Sequence, residues 1–209
     1  MCVFCDEINL HQGKSNNSIY NMYVSENESV IWKNDEITLL SDILPLSKCH
    51  LLLVPNRHIL SISHMTIAER DSLFKLCDRI IEENKKLGLN TLMFEHGTGS
   101  VYKDFTGASI THAHLHIIGT KDTFSVRELL PEDLEKDSIK RDSLFVEYKE
   151  NKYNYIFVEE CDRSCFIINR AKIPSQYLRK IIGESCHNNC WDWRENIKLY
   201  KDLLGGTEL

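Results

Sequence analysis

No stretch of the sequence approaches the ~18 consecutive apolar residues that a membrane-spanning helix needs, so no span is expected. The first residues, Met1-Cys2-Val3-Phe4-Cys5-Asp6-Glu7, have neither the basic start nor the apolar core of a secretion signal. The expected location is therefore the cytoplasm. There is no excess of positive charge. Lys and Arg number 25 against 31 Asp and Glu, a formal net charge of −6, which argues against nucleic acid as the main partner. Internal repeats and low-complexity tracts are missing too, which removes solenoid and tail-like architectures. What remains is a chain of 209 residues, 42% hydrophobic and 27% charged. That is an ordinary globular composition, long enough for one large domain or one domain with an appendage.

The apolar pattern orders the first half. Residues 29–33 and 36–41 read as two strands joined by the tight-turn pair Asn34-Asp35. Residues 50–54 form a short apolar run stopped by Pro55, as in a strand buried on both faces. Residues 66–87 predict a long helix: Thr66 and Glu69 have capping-box spacing, and Leu73, Leu76, Cys77, Ile80 and Ile81 share one face. Gly88 is a suitable stop. A strand at 91–95, a glycine-bearing loop from Gly97 to Gly107 and a strand at 109–118 follow. Beyond Gly119, residues 120–142 read as a polar linker with some helix. Residues 143–149, 153–159 and 164–170 predict a three-stranded meander, and helices are expected after Pro174 and after Trp193. The expected organisation is residues 1–119, a linker over 120–142, and a small α+β extension over 143–209.

Eight cysteines in a chain read as cytoplasmic suggest metal or redox chemistry rather than a disulfide framework. Cys2 and Cys5 form a CxxC. Cys161/Cys165 and Cys186/Cys190 form two Cys-x3-Cys pairs. A second zinc held by those four stands beside reduced thiols as an alternative. Cys77 reads as buried filler on a helix face.

The sharpest feature is His112-Ala113-His114-Leu115-His116. On a strand, alternate side chains share a face, so the three imidazoles would stand in a row. Three buried imidazoles are an expensive core, because each ring has two nitrogens to satisfy. Two chemistries suit the row. One is metal ligation by neutral imidazole. The other is phosphoryl transfer through a nucleophilic histidine with neighbours that donate hydrogen bonds.

The segment His112 to Ile118 resembles the HφHφHφφ signature of the histidine triad (HIT) superfamily. Asp42-Ile43-Leu44-Pro45 with His50-Leu51-Leu52-Leu53-Val54-Pro55-Asn56-Arg57-His58, and Cys2-Val3-Phe4-Cys5, resemble its other landmarks in the same order. The similarity covers residues 1 to about 119. It implies an α+β fold with a five-stranded antiparallel sheet and a long helix, usually paired as a homodimer, and binding of a purine nucleoside phosphate or its conjugate. It implies that His114 attacks the α-phosphorus, that His116 contacts phosphate oxygens and that His50 completes the polar cluster. Asp42 would accept hydrogen bonds from the ribose hydroxyls, and the Ser109 amide beside Gly107 would touch a phosphate. It also implies a structural zinc on Cys2, Cys5, His58 and His112.

Some positions depart from the pattern. Gly107-Ala108-Ser109 lacks the usual amide side chain before the triad. Glu95 stands where Asn or Gln is usual in the substrate site, and a carboxylate there repels phosphate unless protonated or paired. Arg179 and Arg194 could reach a polyphosphate or, more commonly for such residues, a surface partner. Three readings follow: a nucleotide hydrolase or nucleotidyltransferase, a nucleotide-binding or interaction protein with little turnover, and, ranked last, a metallohydrolase.

Overall fold

The computed structural model describes residues 2–10, 29–98, 110–147, 153–169 and 173–193. The first strands are β1 (Val30–Lys33), β2 (Ile37–Ser41) and β3 (Cys49–Pro55), preceded by the helix α1 (Val3–Leu10). A 3-10 turn at Ile62–His64 leads to α2 (Ile67–Lys86), β4 (Asn90–Gly97) and β5 (Leu115–Thr120). Then come α3 (Val126–Leu129), β6 (Asp137–Ile139), α4 (Ser143–Glu147), β7 (Tyr155–Glu159), β8 (Cys165–Asn169) and α5 (Tyr177–Ser185).

The α+β class holds, and the sheet is larger than the resemblance implies. It has eight strands in the order β1-β2-β3-β5-β4-β7-β8-β6, with every pairing antiparallel. The first five in that order are the expected five. The other three come from the second half of the chain and continue the same sheet from β4. The linker expected at 120–142 therefore contains a strand, β6. The strand expected at 143–149 is instead the helix α4, because Leu144 and its neighbour Phe145 are both buried in one cluster. Adjacent inward residues suit a helical turn, whereas strand neighbours face opposite ways. The strand expected at 109–118 begins only at Leu115. Ahead of it the Ala113 N–H donates to Ile59 O at 2.7 Å, drawing that backbone to the loop after β3. The helix expected after Trp193 lies outside the described residues.

The sheet has two covered faces. On one, Leu73, Leu76, Cys77 and Ile80 of α2 pack on Leu53, Met93, Leu115, Ile117, Phe157 and Ile167. The Thr66–Glu69 capping box forms as expected, and Gly88 takes φ +69° just past the helix. On the other face, Leu178 and Ile182 of α5 pack with Leu92, Ile118, Val158 and Phe166. On that face too, Phe4 and Ile8 of α1 bury against Leu40, Leu52 and Val54. The histidines lie on this second face, near α1 at one end and α5 at the other.

Candidate functional site

Strand pairing sets the floor of the site. His116 on β5 lies between Leu52 of β3 and Phe94 of β4. Its ring stacks on Phe94 with centroids 4.3 Å apart. Leu52, Phe94 and His116 share a face, so His50 and His96, two residues along their strands, share it too.

Hydrogen bonds fix the tautomers. His50 Nδ1 accepts from the Leu46 N–H at 3.0 Å, so the His50 proton is on Nε2. That nitrogen lies 2.9 Å from His116 Nδ1, which therefore accepts. The His116 proton is then on Nε2. His114 Nδ1 lies 2.7 Å from the His112 carbonyl oxygen. A carbonyl only accepts, so Nδ1 carries the proton and His114 Nε2 keeps its lone pair. Burial lowers the pKa of all three, to about 4 for His50 and well below the usual imidazole range for His116. All three are neutral near pH 7. The His114 and His116 rings meet edge to face at 5.0 Å.

Asp42 joins this cluster. Its Oδ2 is 3.5 Å from His50 Nε2 and 3.8 Å from His116 Nδ1, and it accepts from Arg179 Nη1 at 2.8 Å. Burial pushes its pKa up. Electrostatic attraction to His50 and to the Arg179 guanidinium, with the Arg179 and Leu44 hydrogen bonds, outweighs that and holds it below the usual carboxylate value. Arg179 is thus a buried partner of the site rather than a surface residue.

A second group gathers beside α1. The Sγ atoms of Cys2 and Cys5 lie 3.4 and 3.5 Å from His112 Nδ1, and Cys5 Sγ lies 3.3 Å from His58 Nδ1. All four ligand atoms are within 4.8 Å of one another. A tetrahedral ion at usual zinc bond lengths places its ligand atoms roughly 3.3–3.8 Å apart, so the set fits. His112 Nε2 donates to Pro55 O at 2.8 Å, which turns the Nδ1 lone pair toward the two thiols. Burial, then the neighbouring Cys2, pushes the Cys5 thiol up to about 12; a bound cation would reverse this. The group could hold a metal ion. Asp42, His50 and His116 form another such group, but there a cation would face the Arg179 guanidinium. Among the described residues, Cys161, Cys165, Cys186 and Cys190 form no such group. Cys165 belongs to the α2 side of the sheet, whereas Cys161 and Cys186 pack on the α5 side.

Glu95 does not join the histidines. It points to the α2 face, where Oε1 accepts from the Ile62 N–H at 2.8 Å and Oε2 accepts from the Tyr155 hydroxyl. Gly97 leaves room for that tyrosine: a Cβ there would strike the Tyr155 ring. Burial raises the Glu95 pKa to about 8, only partly offset by the two donors. The folded state thus holds this proton more tightly than the unfolded chain. The resulting stability is complete below the ordinary pKa near 4.5, falls as pH rises toward 8, and is constant above. Glu95→Gln should accordingly gain on the parent protein between pH 5 and 8, by on the order of 3 kcal/mol at pH 7. Thermal melts across that range check it; a parent protein that gains on the variant as pH rises contradicts the assignment.

His96 is the residue on the triad face of β4, and sequence reasoning missed it. Among the described residues its Nε2 is buried with no hydrogen-bond partner. Burial first, then the nearby His114, lowers its pKa to about 4. The signal available in the sequence was parity, since His96 alternates with Phe94 whereas Glu95 does not. Gly107 and Ser109 lie outside the described residues.

Residues 24–123 match the family model described as "HIT domain". An uncharacterized HIT-like protein from Methanocaldococcus jannaschii is 28% identical over 118 residues, covering 56% of this chain and 78% of that protein. Protein HitA from Neisseria gonorrhoeae is 29% identical over 93 residues, covering 43% and 81%. Among solved structures, a zinc-bound histidine triad family protein from Mycobacterium smegmatis matches with 16% identity and a TM-score of 0.40, covering 56% of this chain and 73% of that one. Over residues 24–123, then, the chain is a HIT domain.

Proposed function

We propose that the chain hydrolyses or transfers the α-phosphate of a nucleoside phosphate conjugate, a purine one by the resemblance, through a covalent bond to His114. The observation that carries this is the tautomer of His114: with Nδ1–H held by the His112 carbonyl, Nε2 is an unprotonated nucleophile. Nε2 would attack phosphorus, forming a P–N bond. The bond to the leaving group breaks, and that group leaves with the electron pair and takes a proton from water. Water or an acceptor hydroxyl then cleaves the P–N bond, the acceptor giving up its proton, and the lone pair returns to Nε2. His116 Nε2–H donates to a phosphate oxygen as charge builds there. His96 Nε2, buried without a partner among the described residues, supplies a further polar contact. Glu95 faces away, which removes the carboxylate repulsion that had favoured a binding protein with little turnover.

We further propose that Cys2, Cys5, His58 and His112 hold one structural zinc, which would join α1 to the segment ahead of β5 and fix the His112 ring. No step of the reaction passes through it. Reduced cysteines in that set suit a reducing compartment such as the cytoplasm.

The test is a panel of adenosine 5′-phosphoramidate, a dinucleoside polyphosphate and ATP, each with and without chelator. Turnover with a 31P signal of a phosphoramidate on His114 in quenched protein is the expected result. Binding without turnover would leave the second reading. Turnover that survives His114→Ala and is lost to a chelator would point to metal-assisted hydrolysis instead.

A further inference from the structure

The ladder between β4 and β5 runs from Asn90–Thr120 to Phe94–His116 and stops there. Continued by two residues, it would set His96 directly across from His114. Instead β4 stays in the sheet, pairing with β7 as far as Gly97–Tyr155, while the chain ahead of β5 turns away. Residues 59 and 60 bridge the two backbones where they part. The Ala113 N–H donates to Ile59 O at 2.7 Å, and the Thr98 N–H to Leu60 O at 3.4 Å. The sheet thus opens beside His114, with the end of β4 on the other side of the opening.

That end of β4 carries polar groups with nothing to bond. His96 follows Phe94 on the triad face, and Thr98, one residue beyond the strand, continues the alternation. Among the described residues, His96 Nε2 and Thr98 Oγ1 are the two buried side-chain nitrogen or oxygen atoms without a hydrogen-bond partner. Such atoms cost stability, and a pair of them in one place calls for a function. Burial first, then repulsion from His114 when both rings are protonated, lowers the His96 pKa to about 4. His96 is therefore close to His114 and neutral near pH 7. Yet no hydrogen bond joins its Nε2 to that ring, which leaves the space between them to a substrate.

We infer that His96 is a catalytic residue on the leaving-group side, its Nε2–H donating a hydrogen bond to the departing atom while His114 attacks from the other side. The inference rests on the proposed phosphate chemistry. In-line displacement places the departing atom across phosphorus from the attacking nitrogen, and β4 lies across the opening from His114. As the P–N bond forms and the bond to the departing atom breaks, that atom takes the electron pair. A donor already held in a buried site stabilises the atom more as this charge builds than before. His96 gives up no proton, because a neutral imidazole keeps its N–H; water protonates the group that leaves. Thr98 Oγ1 offers a polar contact to the body of that group.

The test compares two esters of adenosine 5′-monophosphate on the full-length protein, one releasing 4-nitrophenolate and the other the more basic phenolate. A donor at the departing atom matters most where the departing charge is least stable by itself. His96→Phe should lower kcat/KM about tenfold or more on the phenyl ester and less than about threefold on the 4-nitrophenyl ester. Its melting temperature should equal or exceed that of the parent, since an unpaired buried nitrogen is removed. His96→Leu carries the same comparison if phenylalanine does not fit. Equal falls on both esters, or no fall on either, overturn the inference. Loss of the fold in both variants overturns it too, because the nitrogen then has a structural partner. A parent protein that cleaves neither ester fails the proposed function and takes the inference with it. Cleavage of both with unaltered selectivity in the variant defeats the inference alone.

Discussion

Replacing His114 by alanine is expected to lower turnover of every accepted nucleotide by about 10³-fold or more, while the melting temperature falls by only a few degrees. The two effects separate because the side chain makes one local hydrogen bond, from Nδ1 to the His112 carbonyl, worth about 1 kcal/mol. Its other nitrogen holds the lone pair on which the proposed chemistry depends. Phe4 packs against the His114 ring at 5.2 Å, so the cavity left behind accounts for the small thermal loss. His114→Gln should be equally inactive, since an amide nitrogen offers no basic lone pair. Steady-state rates and thermal melts on the same preparations check both halves. Turnover within about tenfold of wild type in either variant would end the covalent reading.

Metal is the second large effect. Native mass spectrometry should find one zinc per chain, lost when Cys5 is replaced by serine or when a strong chelator is added under mild denaturation. The metal-free protein should melt about 10 °C lower. The size follows from what the site fastens. Phe4 and Ile8 are 1% and 4% exposed against Leu40, Leu52 and Val54. Freeing α1 would return them to water, at about 1.5–3 kcal/mol for each side chain, and each kcal/mol moves the melting point by roughly 2–4 °C in a chain of this size. Because His112 would also lose its tether, the neighbouring His114 should lose activity along with the metal even though no reaction step uses it. Restoring zinc should restore both. A full-length chain that carries no metal as purified and gains no stability from added zinc would reduce the group to a cluster of thiols and imidazoles.

Much of this site was legible because its signals are local. The Thr66–Glu69 box and the face of α2 are short-range patterns, and each describes contacts the structure contains; the spacing of His112, His114 and His116 is local too, but only His116 lies on β5. The Cys2, Cys5, His58 and His112 set came from the resemblance, and its four ligand atoms do converge. What escaped depends on contacts distant in sequence. Arg179 lies 137 residues from Asp42, and nothing near either residue announces the pair. His96 was overlooked in favour of Glu95 because the choice turns on which face of β4 each occupies, and that is fixed by the pairing of Phe94 with His116. The break ahead of β5 was invisible because alternation persists through residues 112–116 while the Ala113 N–H goes to Ile59 instead of a sheet neighbour. The segments β6 and α4 departed from expectation for a similar reason: Asp137, Ser138 and Ile139 gain strand form only by meeting β8.

The seam where β7 runs beside β4, from Met93–Glu159 to Gly97–Tyr155, changes how the chain relates to other molecules. An isolated 24–123 fragment would end its sheet at β4 with a row of unsatisfied amides and carbonyls, an invitation to any extended segment nearby. The intact polypeptide brings its own companion to that border, tethered at a local concentration that dilution cannot reduce. Whatever assembly it forms must therefore be made elsewhere on its surface.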